Sequence, residues 1–414
     1  MSSSQTVVPR PLIALPDTSA GARRSPQKFA ETSLKAAAGF WFVVVFLGQI
    51  LFAVSTALFY GLSAVRGNWN AWNHTMTHGY APGYHVGNTV VVIHIASAVF
   101  IILSGSLQLI PWLRRRAPVF HRWNGRVYMV TAFSVSLAGL YMMWFRGTVG
   151  GPAQHVAQSI DAVLIMVCAV MALRFALARD FVTHRRWALR LYLVVSASLF
   201  IRAAGLLLPI LPATGPFGFD PATLTGPFFV ELSYGQYLIP LAVLELYFRT
   251  QARPGAARRY AMAALLFVLT LALGAGIAFA GATLFLPRIK TALDRRISIE
   301  QTLSATIAAS GVDAGIQQYR QLKATAPTTY NFDENELNAL GYEFMRAHRY
   351  ADAIRIFQLN VEAYPRSGNV YDSLAEGYMD AGNKAVAIAD YRKSIQINPK
   401  NLNGIAMLRK LGAQ

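Results

Sequence analysis

Seven stretches of this chain are apolar over lengths that suit a bilayer better than a water-soluble core. They lie near 36–62, 88–112, 122–145, 153–178, 187–210, 226–248 and 260–286. An apolar run beyond about 18 residues is long enough to cross the hydrocarbon layer as a helix. In lipid, every backbone N–H and C=O must be satisfied inside the segment, so runs of this kind span as helices. The sequence therefore predicts an all-α protein whose residues 34–286 form a polytopic transmembrane bundle of about seven helices. Composition agrees: 54% of the 414 residues are hydrophobic and 14% charged, too apolar for a soluble domain of this size. Pro240 and Glu245 interrupt the sixth stretch. A membrane helix tolerates proline where its neighbours satisfy the freed carbonyl.

The net charge of +18 is unevenly spread. Residues from Glu300 onward hold 12 basic and 12 acidic side chains, so the excess belongs to the apolar part. It alternates from loop to loop. Arg10, Arg23, Arg24, Lys28 and Lys35 precede the first span, Arg114, Arg115, Arg116 and Arg122 follow the second, and Arg179, Arg185 and Arg186 follow the fourth. Arg249, Arg253, Arg258 and Arg259 follow the sixth, whereas the alternate loops hold only Arg66 and Arg146. Basic residues of short loops stay cytoplasmic, which predicts a cytoplasmic amino end and an extracytoplasmic carboxyl end. Such a distribution speaks for topology and lipid contact, with no nucleic acid as partner. Residues 1–33 are rich in Ser, Pro and Arg and read as a disordered cytoplasmic tail, with no cleavable signal. The single cysteine, Cys168, excludes an internal disulfide and a cysteine-ligated metal.

The first outer loop, 63–87, gathers Trp69, Trp72, His74, His78, Tyr80, Tyr84 and His85. His74 and His78 would share a helix face suited to a metal, but Asn73 and Gly79 favour a loop. We read the segment as an interfacial aromatic belt, with no metal site.

Past a linker at 287–300, a period of 34 residues emerges in 301–414. Leu337, Leu340, Gly341, Phe344, Ala353, Phe357 and Pro365 recur as Tyr371, Leu374, Ala375, Tyr378, Ala387, Tyr391 and Pro399. Gly315, Tyr319 and Pro327 form a degenerate earlier copy, and Met407, Leu408 and Leu411 suit a closing helix. The pattern resembles the tetratricopeptide repeat, which implies an α-solenoid that binds a protein or peptide partner. Glu336 to Tyr342, Asn360 to Pro365 and Asn369 to Leu374 also resemble the repeat tail found behind bacterial serine hydrolases. No Gly-x-Ser-x-Gly nucleophile elbow is present, so the resemblance implies a portable accessory module. No catalytic residue can be assigned, and an enzyme is the lesser reading.

In residues 88–205 the phrases His121-Arg122-x-x-Gly125-Arg126-x-Tyr128 and His184-Arg185-Arg186-Trp187 stand beside His94, Gly105, Gln108 and Arg202. Together they resemble a bacterial family of polytopic membrane proteins of unknown function. That implies a multi-pass protein of the bacterial plasma (inner) membrane, without a known activity. Helical spacing places His121, Gly125, Tyr128, Ala132 and Gly139 on one face, and His94, Gly105 and Gln108 on another. His184, Ser198 and Arg202 align on a third, since 18 residues make five full turns. Small and polar residues in membrane helices face other helices, so three stripes would meet at one centre.

The candidate polar intramembrane site is His94, Gln108, His155, Asp161, Arg202 and Glu231, with Asp161 the expected partner of Arg202 and Glu231 the alternative. The candidate interfacial or haem-ligand set is His121, His184, Arg122, Arg126 and Arg185. Pairing by depth, His94 with His155 and His121 with His184, would suit two b-type haems and transmembrane electron transfer. The plainer reading is that the His-Arg turns anchor the bundle at the interface. A small-anion or proton-coupled transporter is a third class, though no inverted repeat accompanies it.

Overall fold

A computed structural model describes residues 18–76, 78–210, 218 and 224–413. The apolar part folds as α1 (Thr18–Val65), α2 (His85–Leu109), α3 (Pro111–Arg116), α4 (Pro118–Tyr141) and α5 (Pro152–Leu177). It continues with α6 (Phe181–Val195), α7 (Ala197–Ala203), α8 (Pro227–Ala252), α9 (Ala256–Ala280) and α10 (Leu286–Leu293). The starts follow local chemistry. Proline opens α3, α4, α5 and α8, at a position where a missing N–H costs nothing. Asp180 caps α6 by accepting from the Thr183 N–H.

Among the described residues, five helices are long and apolar enough to cross a membrane: 26–65, 85–109, 118–146, 152–177 and 256–293. Counting α6 and α7 as one broken span, bent by 45°, makes six. The anticipated sixth span, α8, falls short by composition, because Glu231, Gln236, Pro240 and Glu245 dilute it. It nevertheless runs the length of the bundle. Near its start the Gln154 amide donates to Leu224 O at 2.9 Å, and near its far end Glu245 pairs with Arg190 at 2.9 Å. The disordered tail also needs correction. Residues 18–33 belong to α1, where buried Ala30 and Leu34 and the Glu31 pairs with Lys35 and Arg259 hold the helix; residues 1–17 lie outside the described part.

Helices α1 and α9 are parallel neighbours, and their register can be read contact by contact. Phe29 meets Tyr260, Phe40 meets Phe267, Gly48 faces Ile277, and Phe52 stacks on Phe285 at 5.3 Å. Both sequences advance together. The chain therefore traverses the bundle an odd number of times between the exit of α1 and the entry of α9, and the carboxyl-terminal part emerges at the end opposite the start of α1. The core between them is apolar and includes Val45, Leu191, Leu199, Tyr237 and Ala280. One buried polar line crosses it: Gln49 donates to Ser196 Oγ at 2.9 Å, and Ser196 donates to Tyr192 O at 2.7 Å.

The remainder is a stack of helical hairpins. It comprises α11 (Ile299–Thr325), α12 (Glu334–Arg346), α13 (Tyr350–Ala363), α14 (Gly368–Asp380), α15 (Lys384–Ile397) and α16 (Leu402–Lys410). Gly311, at φ 86°, breaks α11 into two arms that fold together, with Gly315 against Ile307. The α12–α13 pair is repeated by α14–α15 at an offset of 34 residues. Gly341 lies against the Phe357 ring, so the hairpin closes only without a side chain there. Two short parallel strands, β1 (Ile297–Ser298) and β2 (Tyr330–Asn331), tie the linker to this stack.

Candidate functional site

The glycine and histidine stripes of α2 and α4 meet face to face. His94 packs on Gly139 and its Nδ1 contacts Val135 O at 3.2 Å. One level down, Tyr128 fills the notch at Gly105, where a Cβ would come within 2.8 Å of the ring. At the next level Gln108 sits over Gly125 and donates to His121 O at 3.1 Å, while Asn124 donates to Ser104 O at 3.2 Å. Each large side chain of one helix thus enters a small-residue gap of the other, the packing that holds helices together in lipid.

The third stripe joins them only through Arg202, which comes within electrostatic range of His94. The 45° bend between α6 and α7, at Ser196, rotates Arg202 away from the line through His184. Arg202 lies over the Phe52 ring of α1 at 4.5 Å and donates to Ser198 O, with Arg288 and Tyr60 as electrostatic neighbours. Asp161 is buried on α5, and its Oδ1 has no hydrogen-bond partner among the described residues. Its electrostatic neighbours are Cys168 and the fully buried Tyr237 of α8. Arg202 and Asp161 are thus apart, and among the described residues no acidic group pairs with Arg202. Glu231 is exposed near the start of α8.

The four histidines separate into one pair and two singles. His121 comes within electrostatic range of His184 and of Arg114. His184 Nδ1 contacts Ala172 O at 2.8 Å, which locks its ring against α5. His94 belongs to α4. His155 instead turns to the rim, its Nε2 3.3 Å from Thr148 Oγ1 and its ring edge-on to Trp144. The two depth-matched pairs that a double-haem layout requires are therefore not both brought together, because the α2 stripe is consumed by α4.

At the opposite end, a residue passed over in the sequence organises the first loop. Arg146, 8% exposed, donates to His78 O, to Gly79 O at 3.4 Å and to Asn88 Oδ1 at 2.9 Å, and lies over the Tyr84 ring. Asn73 exchanges two hydrogen bonds with Tyr80, and Asn88 two with Ala81. Trp72 donates to Tyr60 O at 3.2 Å. The loop and the start of α2 border an open depression of about 340 Å³ lined by Trp69, Trp72, Tyr80, His85, Asn88 and Thr89. Three asparagines in a loop with few charges were the available signal, since asparagine side chains mimic backbone in tight turns. His78 is exposed, and no metal-binding cluster occurs among the described residues.

Arg66 connects this end to the hairpin stack. Its guanidinium donates to Ala292 O at 2.9 Å and Asp294 O at 3.0 Å. Asp294 pairs with Arg296, which reaches Asp333 ahead of α12. The hydrogen bond from Arg296 holds the Asp294 carboxyl below the usual carboxylate range. In the stack, the first helices of the hairpins present a bonded polar row. Tyr342 donates to Glu376 at 2.6 Å, Asn403 donates to Glu376 and Asp372 at 2.8 Å, and Asn401 donates to Asp372 at 2.7 Å. Burial raises the Asp372 and Glu376 carboxyls, and these hydrogen bonds oppose that rise.

No curated protein and no solved structure matches the chain. Residues 91–231 match the model of a family described as predicted membrane proteins (DUF2306), a stretch that contains α4 to α7 and most of α2, and with them both His-Arg phrases, so this central segment of the chain is similar to that family.

Proposed function

We propose that this integral membrane protein displays a tetratricopeptide-like domain on the extracytoplasmic side of a bacterial inner membrane, where the domain binds a protein or peptide partner. The observation that carries the reading is the parallel register of α1 and α9, from Phe29 with Tyr260 to Phe52 with Phe285. That register supports an odd number of passes and hence opposite sides for the two ends. The basic loops at the end where α1 begins support a cytoplasmic placement for it. The 34-residue offset of the hairpins supports the repeat assignment, and the row Tyr342, Asp372, Glu376 and Asn403 supports a recognition face. The Arg66 and Arg296 contacts hold the domain close to the bundle, so a bound partner would be held near the membrane surface.

The test is made in intact cells with the full chain. A carboxyl-terminal alkaline phosphatase fusion should be active, and a photo-crosslinking residue at position 376 should yield a discrete adduct that the same residue at exposed position 392 does not. An inactive fusion would overturn the sidedness; equal labelling at both positions would overturn the recognition face.

A further inference from the structure

We propose that the two His-Arg phrases build one binding site for an anionic phospholipid headgroup, filled best by a lipid carrying two phosphates. Residues of α3 and α4, which are successive, and of α6, beyond α5 in the chain, converge there. Residue His121 of α4 lies within electrostatic range of His184 of α6 and of Arg114 of α3. The junction is held in place from behind: Gln108 and Asn124 bolt α2 to α4, and the His184 ring is fixed to Ala172 O.

What this junction presents outward is cationic and unneutralised. Arg114, Arg115, Arg116, Arg122, Arg126, Arg185 and Arg186 are all exposed. Among the described residues, none of the seven is ion-paired with a carboxylate. The acidic groups at this end are engaged elsewhere: Asp180 caps its own helix, Glu245 takes Arg190 and Arg249, and Glu31 takes Lys35 and Arg259. Exposed rings stand beside the charges. Trp112 is 62% exposed and Trp123 61%, and the Arg126 guanidinium lies over the Trp123 ring at 4.7 Å.

This combination selects the occupant. Indole rings settle at the level of lipid headgroups, and guanidinium groups take phosphate oxygens in bidentate fashion. A soluble acidic protein would meet the charges but would leave the rings, and the apolar helix faces that continue from them, without a partner. A lipid supplies phosphate for the arginines and acyl chains for the faces below. Two arginine clusters, one on each phrase, suit two phosphates on one headgroup better than a single phosphate.

The test is native mass spectrometry of the full chain released from nanodiscs of phosphatidylcholine doped with cardiolipin or with phosphatidylglycerol. Cardiolipin should be retained as a discrete adduct at least ten-fold over phosphatidylcholine, and over phosphatidylglycerol by a smaller margin. Arg122→Ala with Arg185→Ala should lower cardiolipin retention by roughly 25-fold, about five-fold per arginine lost. Arg253→Ala with Arg258→Ala, on a neighbouring basic loop, should leave it unchanged. If the double variant fails to fold, Arg126→Ala, which removes only an exposed guanidinium, serves in its place. Equal retention of cardiolipin and phosphatidylcholine, or full retention in the phrase variants, would overturn the site. Equal retention of cardiolipin and phosphatidylglycerol would overturn its two-phosphate form.

Discussion

The bundle and the hairpin stack are both helical, yet they treat apolar side chains in opposite ways. In the bundle, large apolar residues are turned outward along whole helix faces, among them Phe145 at 77% and Val130 at 67% exposure. Beyond Ile297 only Val386, at 36%, is a large exposed apolar residue among the described ones. The interiors differ in the converse sense. The stack closes chiefly on full-sized core residues such as Leu337, Leu340, Ile356 and Phe357, even though Gly341 and Gly377 also meet the Phe357 ring. The α2–α4 interface closes on a large residue against a glycine at three successive levels. The lesson concerns the driving force. In water, burial of apolar area assembles helices. In lipid that force is absent between helices, and close backbone approach and polar bonds take over.

The contrast can be broken most directly at Phe357. Phe357→Ala should destabilise the hairpin stack by about 3–5 kcal/mol, because a fully buried ring is lost from the contact with Gly341 and Gly377. Phe145→Ala should change the detergent-solubilised protein by no more than about 0.5 kcal/mol. Hydrogen exchange resolved along the chain measures both, and comparable losses would end the distinction. A middle-sized effect is expected at Arg146. Arg146→Ala removes three hydrogen bonds from the first loop, so exchange and proteolysis should rise in 66–84, with a loss of about 2–3 kcal/mol of local stability. An unchanged loop would show that the asparagines suffice.

The smallest effect sharpens the comparison from the water side. Burial pushes the Asp390 carboxyl up to about 6. Between the ordinary carboxylate range and that value the folded state holds more protons than the unfolded one. Its contribution to stability is therefore complete at low pH and is lost as pH rises through about 6. Asp390→Asn should raise the melting temperature of the stack by about 2–4 °C at pH 7 and leave it unchanged at pH 4. A gain of equal size at both pH values would mean that the carboxyl's charge is not the cause.

Much of this architecture is legible in the chain without coordinates, and the limits have physical causes. Residues Gly105, Gln108, Gly125, Tyr128 and Gly139 could be assigned to facing stripes because helix period is a local property. Arg202 could not be placed, since the 45° bend at Ser196 leaves no proline or glycine to announce it. Arg146 was read as a minor loop charge because its partners, His78, Gly79 and Asn88, come from a distant loop and its following helix.

Solvent and local geometry are written into the amino acids: which runs suit lipid, where basic residues gather, and where a 34-residue period begins. These follow from side-chain hydrophobicity and helix pitch, which need no tertiary contact. Only the packed chain decides that α1 and α9 lie parallel, that His121 meets His184 while His94 turns to α4, and that Arg146 holds the first loop. Those outcomes depend on which surfaces fit each other across long separations in sequence, and complementarity of that kind has no period to read.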